Sequence, residues 1–350
     1  MTPARTHDIG VALLGFGFAG RIFHAPFIAT TPGLALRMIA SSRRDEIAAA
    51  YPGVRVSQSA EDALASPDVD LVVVATTNET HAPFAQAAMR AGKHVVVDKP
   101  FTLTLDEARR VVATAEETRR LLAVFQNRRW DSDFAGVRAA IAAGAIGEVT
   151  ELWSEIARWR PEVRDRWRER PGPGAGLWFD LGPHLIDQAL ELFGLPDAVH
   201  AAIRPLRPGA TVDDWFHVRL VYASREVWLT SSMLAADPTP RFVVRGTTGT
   251  IVKQGMDPQE RALMAGQRPG ESDWGHDPDP VFVYREGREP ERRPAPPGHY
   301  GHFYARMRDA IREGAAPPVT ARRALEVMAV TMAGFASASS GEAAPVSGTV

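Results

Sequence analysis

Apolar and polar residues follow one another in blocks through the first third of the chain. Short apolar runs, typical of strands buried on both faces, alternate with segments of helical character. The apolar runs cover residues 9–14, 36–40, 54–56, 71–75, 94–97 and 122–126. Ser59 and Thr104 precede acidic residues as at a helix start, and Gly92 marks a helix end. This alternation predicts a doubly wound parallel sheet, with its ligand beyond the carboxyl ends of the strands.

The pattern changes after Asn127. A helix is predicted over residues 134–143, and longer runs of strand character follow at 149–159, 215–222, 227–234, 242–245 and 281–284. Because few long helices separate these runs, we expect a large, open, mainly antiparallel sheet. Residues 257–279 are expected to be irregular, and two helices (302–313 and 320–337) are expected to close the chain. The sequence therefore predicts an α/β protein with two domains, residues 1–127 and 128–350.

Composition narrows the class of protein. The 350 residues are 45% hydrophobic and 23% charged, which is ordinary for a globular chain of two domains. The formal net charge of −2 disfavours nucleic acid or an anionic membrane as a partner. The absence of cysteine excludes disulfides, thiolate metal sites and a cysteine nucleophile, and no metal is expected. The first apolar run is too short to span a membrane and lacks a signal-peptide cleavage pattern, so a cytoplasmic protein is expected.

The turn after the first apolar run carries three glycines at the spacing of a dinucleotide-binding motif. It reads Gly15-Phe16-Gly17-Phe18-Ala19-Gly20. Gly15 permits the tight turn, Gly17 lets the backbone approach a pyrophosphate, and Gly20 lets helix and strand pack closely. The N–H groups of the following helix face the phosphates. The pattern predicts a dinucleotide site, and an ordinary strand-to-helix turn is the alternative.

The end of the second apolar run bears on which dinucleotide binds. Sites that prefer NAD place an acid there for the ribose 2′-hydroxyl. This chain instead has Ser41, Ser42, Arg43 and Arg44. The hydroxyls can donate to a 2′-phosphate, and an arginine can pair with it. We therefore expect NADP; NAD is the alternative, in which case the arginines are solvated residues at the start of a helix.

A candidate for stabilising charge follows the fifth apolar run. Lys99 ends a buried strand, so it points toward the ligand crevice, and Pro100 keeps it out of the helical region. The alternative is a surface lysine before a turn.

A candidate for proton transfer lies in residues 174–187. Pro183 suits a first helical turn, which places Asp180 near the helix N-terminus and His184 one turn later on the same face. An ionised Asp180 favours the protonated form of His184, and the two make a workable pair near neutral pH. The alternatives are a capping aspartate and a structural histidine, and Asp187 is a candidate supporting residue.

These segments together resemble the glucose–fructose oxidoreductase / inositol dehydrogenase / rhizopine-catabolism (Gfo/Idh/MocA) family over nearly the whole chain. The resemblance is closest to its branch of NADP-dependent scyllo-inositol dehydrogenases. The matching motifs are the glycine turn at 15–20 with Phe23-His24-Ala25-Pro26, Thr76-Thr77-Asn78-Glu79-Thr80-His81, Asp98-Lys99-Pro100, Gln126-Asn127-Arg128-Arg129-Trp130-Asp131 and Asp180-Leu181-Gly182-Pro183-His184. Asp98 stands where the family most often has a glutamate, which keeps the carboxylate.

The resemblance implies a Rossmann domain followed by an α/β domain whose open sheet often forms the oligomer interface. A homodimer or homotetramer is therefore expected. The resemblance also implies that Lys99, Asp180 and His184 form the catalytic group. His184 would take the proton of an alcohol, Asp180 would orient the imidazole, and Lys99 would stabilise charge on the reacting oxygen. The expected cofactor contacts beyond the first two strands are Thr76, Thr77, Asn78, His81, Asp98 and Lys99.

The expected function is that of an NADP(H)-dependent dehydrogenase acting on a cyclic polyol, sugar or related ketone. Two alternatives stay open: a glycosidase that oxidises its substrate transiently, and a non-catalytic sensor of the nucleotide. The presence of the three catalytic candidates argues against a sensor. Residues 158–170 contain six arginines and two tryptophans and are expected to be a solvated loop or a lid. Asn127 and Tyr300 are weaker candidates for substrate contact.

Overall fold

Strands and helices alternate through the first part of the computed structural model, which describes residues 8–346. The strands are β1 (Ile9–Leu14), β2 (Leu34–Ala40), β3 (Arg55–Ser57), β4 (Leu71–Val74), β5 (His94–Val97) and β6 (Leu122–Val124). The helices are α1 (Ala25–Thr30), α2 (Arg44–Ala50), α3 (Ala60–Ala65), α4 (His81–Arg90) and α5 (Leu105–Thr118). The predicted cap of α5 is present, because the Thr104 hydroxyl accepts from the Glu107 N–H and the Glu107 carboxylate accepts from the Thr104 N–H.

These strands form a parallel sheet in the order β3-β2-β1-β4-β5-β6, which confirms the predicted doubly wound topology. The order reverses between β1 and β4, and such a switch point is where ligands of these sheets bind. Leu14 is in register with Ala40 on β2 and with Val74 on β4, and Val74 is in register with Val97 on β5. The segments that follow these four strands therefore begin side by side at one edge of the sheet.

The rest of the described chain contains the remaining elements. The helices are α6 (Ser132–Ala142), α7 (Leu177–Phe193), α8 (Gln259–Met264), α9 (Gly301–Glu313) and α10 (Ala321–Ser340). The strands are β7 (Val149–Glu155), β8 (Ala198–Arg204), β9 (Trp215–Val221), β10 (Glu226–Ser232), β11 (Phe242–Gly246), β12 (Gly249–Lys253), β13 (Val281–Tyr284), β14 (Glu291–Arg293) and β15 (Ala344–Pro345).

A second sheet takes the order β14-β13-β12-β11-β7-β10-β9-β8-β15. Among residues 8–346, β7 and β10 are its one parallel pair, so the predicted mainly antiparallel sheet is confirmed. Its strands alternate buried and half-buried side chains, as in Phe216, Val218 and Leu220 of β9. One face therefore packs on α6 and α7 in a shared core, and the opposite face carries the half-buried residues.

Several elements differ from the sequence prediction. The run predicted at 149–159 leaves the sheet after Glu155, and α8 lies inside the segment expected to be irregular. Four strands were not predicted: β8, β12, β14 and β15. β8 is rich in alanine, and β14 and β15 have three and two residues, so these three lack the length or β-branched content that marks a strand in sequence. β12 does carry three β-branched residues, at 250–252, and this signal was overlooked.

Contacts within the chain divide it into two compact units. The first comprises Met1–Asn127, Glu260–Trp274 and Tyr300–Leu325, and the second comprises Arg128–Gln259, Gly275–His299 and Glu326–Val350. A boundary between residues 127 and 128 therefore leaves out two later segments, Glu260–Trp274 and Tyr300–Leu325, that belong to the first unit. The second of these carries α9, which packs against α1 and donates from Arg308 and Arg312 to the carbonyls of Pro32 and Gly33. In residues 8–346, the helices lack the combination of length and hydrophobicity needed to cross a membrane.

Candidate active site

Two of the three glycines in the turn after β1 are required by close backbone contacts. Gly15 has a φ of +95°, and a Cβ there would lie 2.4 Å from the Ala75 carbonyl oxygen. A Cβ on Gly20 would lie 2.1 Å from the Gly15 carbonyl oxygen. A Cβ on Gly17 would meet no protein atom within 4 Å. The exposed backbone at Gly17 therefore leaves the space that a pyrophosphate needs, and the turn fits a dinucleotide.

The other residues of the turn differ in exposure. Phe16 is buried and packs edge-on against Tyr51, with ring centroids 6.2 Å apart. Phe18 is exposed, with its ring 5.6 Å from that of Phe23, and Ala19 leads into a π-helix (Gly20–His24) that continues as α1. Phe16 thus anchors the turn in the core of the first unit.

The end of β2 carries exposed hydroxyl and guanidinium groups, as predicted for residues 41–44. The Ser41 hydroxyl accepts from the Arg43 N–H at 3.3 Å, and Ser42 follows it in the turn. Glu46, which the sequence analysis overlooked, pairs with Arg43 at 3.2 Å and with Arg21 at 3.1 Å. Two guanidinium groups against one carboxylate leave an excess of positive charge. The Arg43–Glu46 pair is solvent-exposed and contributes about 0–1 kcal/mol, so a 2′-phosphate could displace it at little cost.

Polar groups also follow β4 at the same edge of the sheet. Thr76 and Thr80 share a hydrogen bond of 2.6 Å between their hydroxyls, and Thr77 and Asn78 lie between them. His81 is buried, with Nδ1 2.9 Å from the Pro100 carbonyl oxygen and Nε2 3.3 Å from that of Thr76. Burial lowers the pKa of His81. The charge of Asp98 acts to raise this pKa but is the smaller effect, so the ring is neutral at neutral pH. His81 thereby ties the segment after β4 to the segment after β5.

The segment after β5 places Asp98 and Lys99 at this edge. The Asp98 carboxylate accepts a 2.8 Å hydrogen bond from the Lys99 N–H through Oδ1. Burial acts to raise the pKa of Asp98, but His24, Lys99 and His81 outweigh it, and the pKa falls below its ordinary value. Asp98 is therefore an ionised group that fixes the backbone of Lys99. The first unit thus brings together the predicted residues of the glycine turn and of the segments after β2, β4 and β5.

In the second unit, α7 carries Asp180 and His184 one helical turn apart. His184 is buried, whereas Asp180 is partly exposed. The helix begins at Leu177, so Asp180 is its fourth residue and Pro183 its seventh. The prediction that Pro183 lies in the first turn is therefore wrong, although Asp180 does lie there.

The start of α7 is fixed by Asp213, a residue the sequence analysis did not identify. Its carboxylate accepts from the Trp178 N–H at 2.7 Å, and its carbonyl accepts from the Leu177 N–H at 2.8 Å. Gly176 has a φ of +94°, and a Cβ there would lie 2.0 Å from an Asp213 oxygen. Burial raises the pKa of Asp213 to about 6. Asp213 caps the helix from 35 positions away in sequence, which explains why helical spacing did not reveal it.

Trp178 packs α7 against the second sheet and α10. Its indole N–H donates to the Thr331 carbonyl at 3.0 Å, and its ring meets Phe216 edge-on with centroids 4.9 Å apart. A Cβ on Gly182 or Gly334 would lie 2.6 or 2.7 Å from the ring. The two glycines make room for the indole, which fixes the rotation of α7 and so the direction of its catalytic candidates.

Hydrogen bonds anchor the arginine-rich segment, residues 158–170, to the rest of the second unit. Arg207 is buried and donates to Glu169 at 2.9 Å and to the Arg160 and Glu162 carbonyls. Within the segment, the Arg168 Nε lies 3.4 Å from an Asp180 oxygen. One arginine of this segment therefore contacts the catalytic candidate Asp180.

The remaining candidates are Asp187, Asn127 and Tyr300. Asp187 accepts two hydrogen bonds, of 2.7 and 2.6 Å, from the guanidinium of Arg129. Burial acts to lower the pKa of Arg129, but Asp187 and Glu191 outweigh it and raise the pKa. Asn127 is buried, and Tyr300 is buried in the first unit with its ring 5.9 Å from Phe27.

Comparison with protein families identifies both parts of the chain. Residues 9–126 match the family model described as the NAD-binding Rossmann fold of an oxidoreductase family, GFO_IDH_MocA. Residues 138–347 match the model of the C-terminal alpha/beta domain of the same family.

Individual relatives align over nearly the whole chain. The oxidoreductase YdgJ of Escherichia coli (strain K12) is 47% identical over 334 residues, which cover 95% of this chain and 96% of YdgJ. The scyllo-inositol 2-dehydrogenase (NADP(+)) IolW of Bacillus subtilis (strain 168) is 35% identical and covers 95% of this chain and 94% of its own. The crystal structure of an oxidoreductase from Klebsiella pneumoniae has a TM-score of 0.92 at 49% identity, over 97% of this chain and 95% of that one.

The different surroundings of Gly17 and Gly20 give a first test. Gly17→Ala should leave the thermal melting temperature unchanged and weaken binding of a nicotinamide dinucleotide by about tenfold or more, because its methyl group would occupy ligand space. Gly20→Ala should lower the free energy of unfolding by about 1–3 kcal/mol, because its methyl group would meet the Gly15 carbonyl. Thermal melts and fluorescence titration check both. Wild-type affinity in a folded Gly17→Ala protein would contradict the assignment of the site.

Proposed function

The chain belongs to the Gfo/Idh/MocA oxidoreductase family, and we propose that it is an NADP(H)-dependent dehydrogenase of a cyclic polyol or sugar. It would oxidise a ring hydroxyl or reduce the matching ketone. The observation that carries the proposal is the placement of Asp180 and His184 one turn apart on α7. A carboxylate and an imidazole so placed can move the proton that alcohol oxidation releases. The substrate class is supported by IolW, whose name states that it acts on scyllo-inositol with NADP(+).

The cofactor proposal rests on the end of β2. Ser41 and Ser42 offer hydroxyl donors there, and Arg43 and Arg21 offer two positive charges against the single carboxylate of Glu46. A 2′-phosphate is recognised by such groups, whereas a free 2′-hydroxyl is recognised by an acid at the strand end. Gly15, Gly17 and Gly20 would hold the pyrophosphate against the start of the following helix.

Different residues of the chain would carry out different parts of the proposed reaction. When bound, the nicotinamide supplies the acceptor or donor of a hydride. His184 accepts the hydroxyl proton of the substrate, and Asp180 stabilises the imidazolium that results. Lys99 donates a hydrogen bond to the reacting oxygen as negative charge develops on it. Thr76, Thr77, Asn78 and His81 line the cofactor channel.

The cofactor preference is tested by binding. The wild-type protein should bind NADPH at least about tenfold more tightly than NADH, which corresponds to roughly 1.4 kcal/mol. Arg43→Ala should weaken NADPH binding by a similar factor and leave NADH binding unchanged, because it removes a partner of the 2′-phosphate. Arg55→Ala, an exposed arginine on β3, is the matched control and should change neither. Equal or tighter binding of NADH by the wild type would overturn the preference.

The catalytic assignments are tested by turnover on a panel of cyclic polyols, followed by nicotinamide absorbance. Lys99→Ala and His184→Ala should each lower kcat by about 10²–10⁴-fold, with nearly unchanged NADPH affinity, because each loses a proton-transfer or charge-stabilising group. His276→Ala, at an exposed position outside the strands of both sheets, serves as the control. Retained turnover in both variants would remove the assignment. Glycoside cleavage without net absorbance change would instead favour the glycosidase alternative.

We further propose that the half-buried face of the second sheet binds another copy of the chain. Trp153 of β7 stacks on Trp228 of β10 with centroids 5.3 Å apart, and His217 of β9 meets both rings edge-on. Burial lowers the pKa of His217, so this aromatic face is uncharged at its centre at neutral pH. A contiguous aromatic patch of this kind is unusual on a monomer.

Assembly through this face is tested by light scattering. The wild-type molar mass should be two or four times that of one chain, and Trp228→Arg should reduce it, because the charge cannot be buried against a second copy. Trp159→Arg makes the same change at an exposed tryptophan outside the sheet face and should not alter the mass. A monomeric wild type, or equal masses for both variants, would contradict this interface.

A further inference from the structure

Three side chains of the first unit, two of them buried, form a line that ends at Lys99. The Tyr304 hydroxyl, on α9, lies 2.6 Å from Nδ1 of His24. Nε2 of His24 lies 3.7 Å from Oδ1 of Asp98. The same Asp98 oxygen accepts the hydrogen bond from the Lys99 N–H. Tyr304, His24 and Asp98 are hereafter called the Tyr–His–Asp line.

The direction of the proton along this line follows from burial. Burial, together with the charge of Asp98, raises the pKa of Tyr304 well above its ordinary value, so the phenol keeps its proton. A protonated phenol can donate to Nδ1 of His24, and in that arrangement Nε2 carries the ring proton that faces Asp98. At 3.7 Å the contact is electrostatic rather than a hydrogen bond.

Aromatic packing holds His24 in this orientation. Its ring lies 4.3 Å from that of Phe125, which in turn meets Phe303 edge-on at 4.8 Å, and His24 has no exposed surface. Water is thus excluded from His24, and in such surroundings an oriented N–H dipole acts strongly on a nearby carboxylate. The other titratable groups that face Asp98 are Lys99 and His81.

We infer that Tyr304 and His24 are positioning residues for Lys99, acting through the Asp98 carboxylate. This inference rests on the proposed function, which gives Lys99 its role at the reacting oxygen. Tyr304 fixes the tautomer of His24, His24 holds the Asp98 carboxylate, and Asp98 holds the backbone of Lys99 and supplies a negative charge beside its ammonium. The position of the Lys99 backbone is therefore set from α9, some 200 positions along the chain.

Chemical labelling tests the line without any need for turnover. Lysine occurs only at positions 93, 99 and 253, so acetylation by acetic anhydride can be followed separately at each by mass spectrometry. Asp98→Asn should speed the acetylation of Lys99 at fixed pH by about fivefold or more, because losing the negative charge favours the neutral amine. Tyr304→Phe should act in the same direction by about two- to threefold. Asp98→Glu keeps the charge and should return Lys99 to a rate near that of the wild type.

The other two lysines are internal controls. Lys93 donates to the Ser66 and Val69 carbonyls, and its rate should not change. Lys253 is fully buried beside Asp277, so its labelling would report unfolding of a variant. If Tyr304→Phe exposes Lys253, the Asp98→Asn and Asp98→Glu pair still decides the question. Tyr222→Phe, which loses a phenol hydrogen bond to Gly194 in the second unit, should leave Lys99 labelling unchanged.

Steady-state kinetics provide the second readout. Tyr304→Phe should lower kcat by about 3- to 10-fold while the KM for NADPH stays constant, a split that general loss of structure would not produce. Wild-type labelling of Lys99 in both Tyr304→Phe and Asp98→Asn, with Lys253 protected, would overturn the inference. Full turnover by Lys99→Ala would instead contradict the proposed function and leave the labelling result intact.

Discussion

Two close backbone approaches at the carboxyl edge of the six-stranded sheet hold the first unit's functional residues in place. Gly15 lies against the carbonyl of Ala75, and Gly20 lies against the carbonyl of Gly15, at distances that exclude any side chain. These contacts leave the backbone of Gly17 open to a ligand. They also fix the π-helix whose last residue is His24. One turn therefore serves both the proposed cofactor site and the support of Lys99 through Asp98.

The second unit depends on a different constraint, the half-buried carboxylate of Asp213. Its raised pKa reflects the cost of burying its charge, and the hydrogen bond from Trp178 offsets part of that cost. The Asp213 cap fixes the residue at which α7 begins. The Trp178 ring packs against Gly182 and Gly334 and fixes the rotation of the helix. Asp180 and His184 both lie on that helix, so the placement of these two catalytic candidates follows from residues outside the proposed proton-transfer pair. This division between support and chemistry is what an active site requires.

The sequence was most informative where a signal is local. The buried strands, the cap at Thr104 and the glycine turn are each marked by a short sequence pattern. In a parallel sheet, the segments that follow the strands lie at the same edge, which predicted the place of these residues. Asp213 was missed because it acts on residues distant in sequence, with no periodic spacing to mark the contact. Glu46 pairs with Arg43 three residues away, and only its contact with Arg21 is distant in sequence. The start of α7 was misjudged because Pro183 was read as a first-turn residue, whereas Asp213 allows the helix to begin six residues earlier.

The choice of basic residues supports the assignment of Lys99 independently of position. The chain has 40 basic residues, and all but three are arginine. Arginine pairs well but does not release a proton near neutral pH, whereas lysine can. Lys93 is bound to two backbone carbonyls and Lys253 to two aspartates, so both charges serve structure. In the proposed reaction Lys99 is the lysine that donates a hydrogen bond to the reacting oxygen, and Asp98 of the Tyr–His–Asp line accepts a hydrogen bond from its backbone N–H.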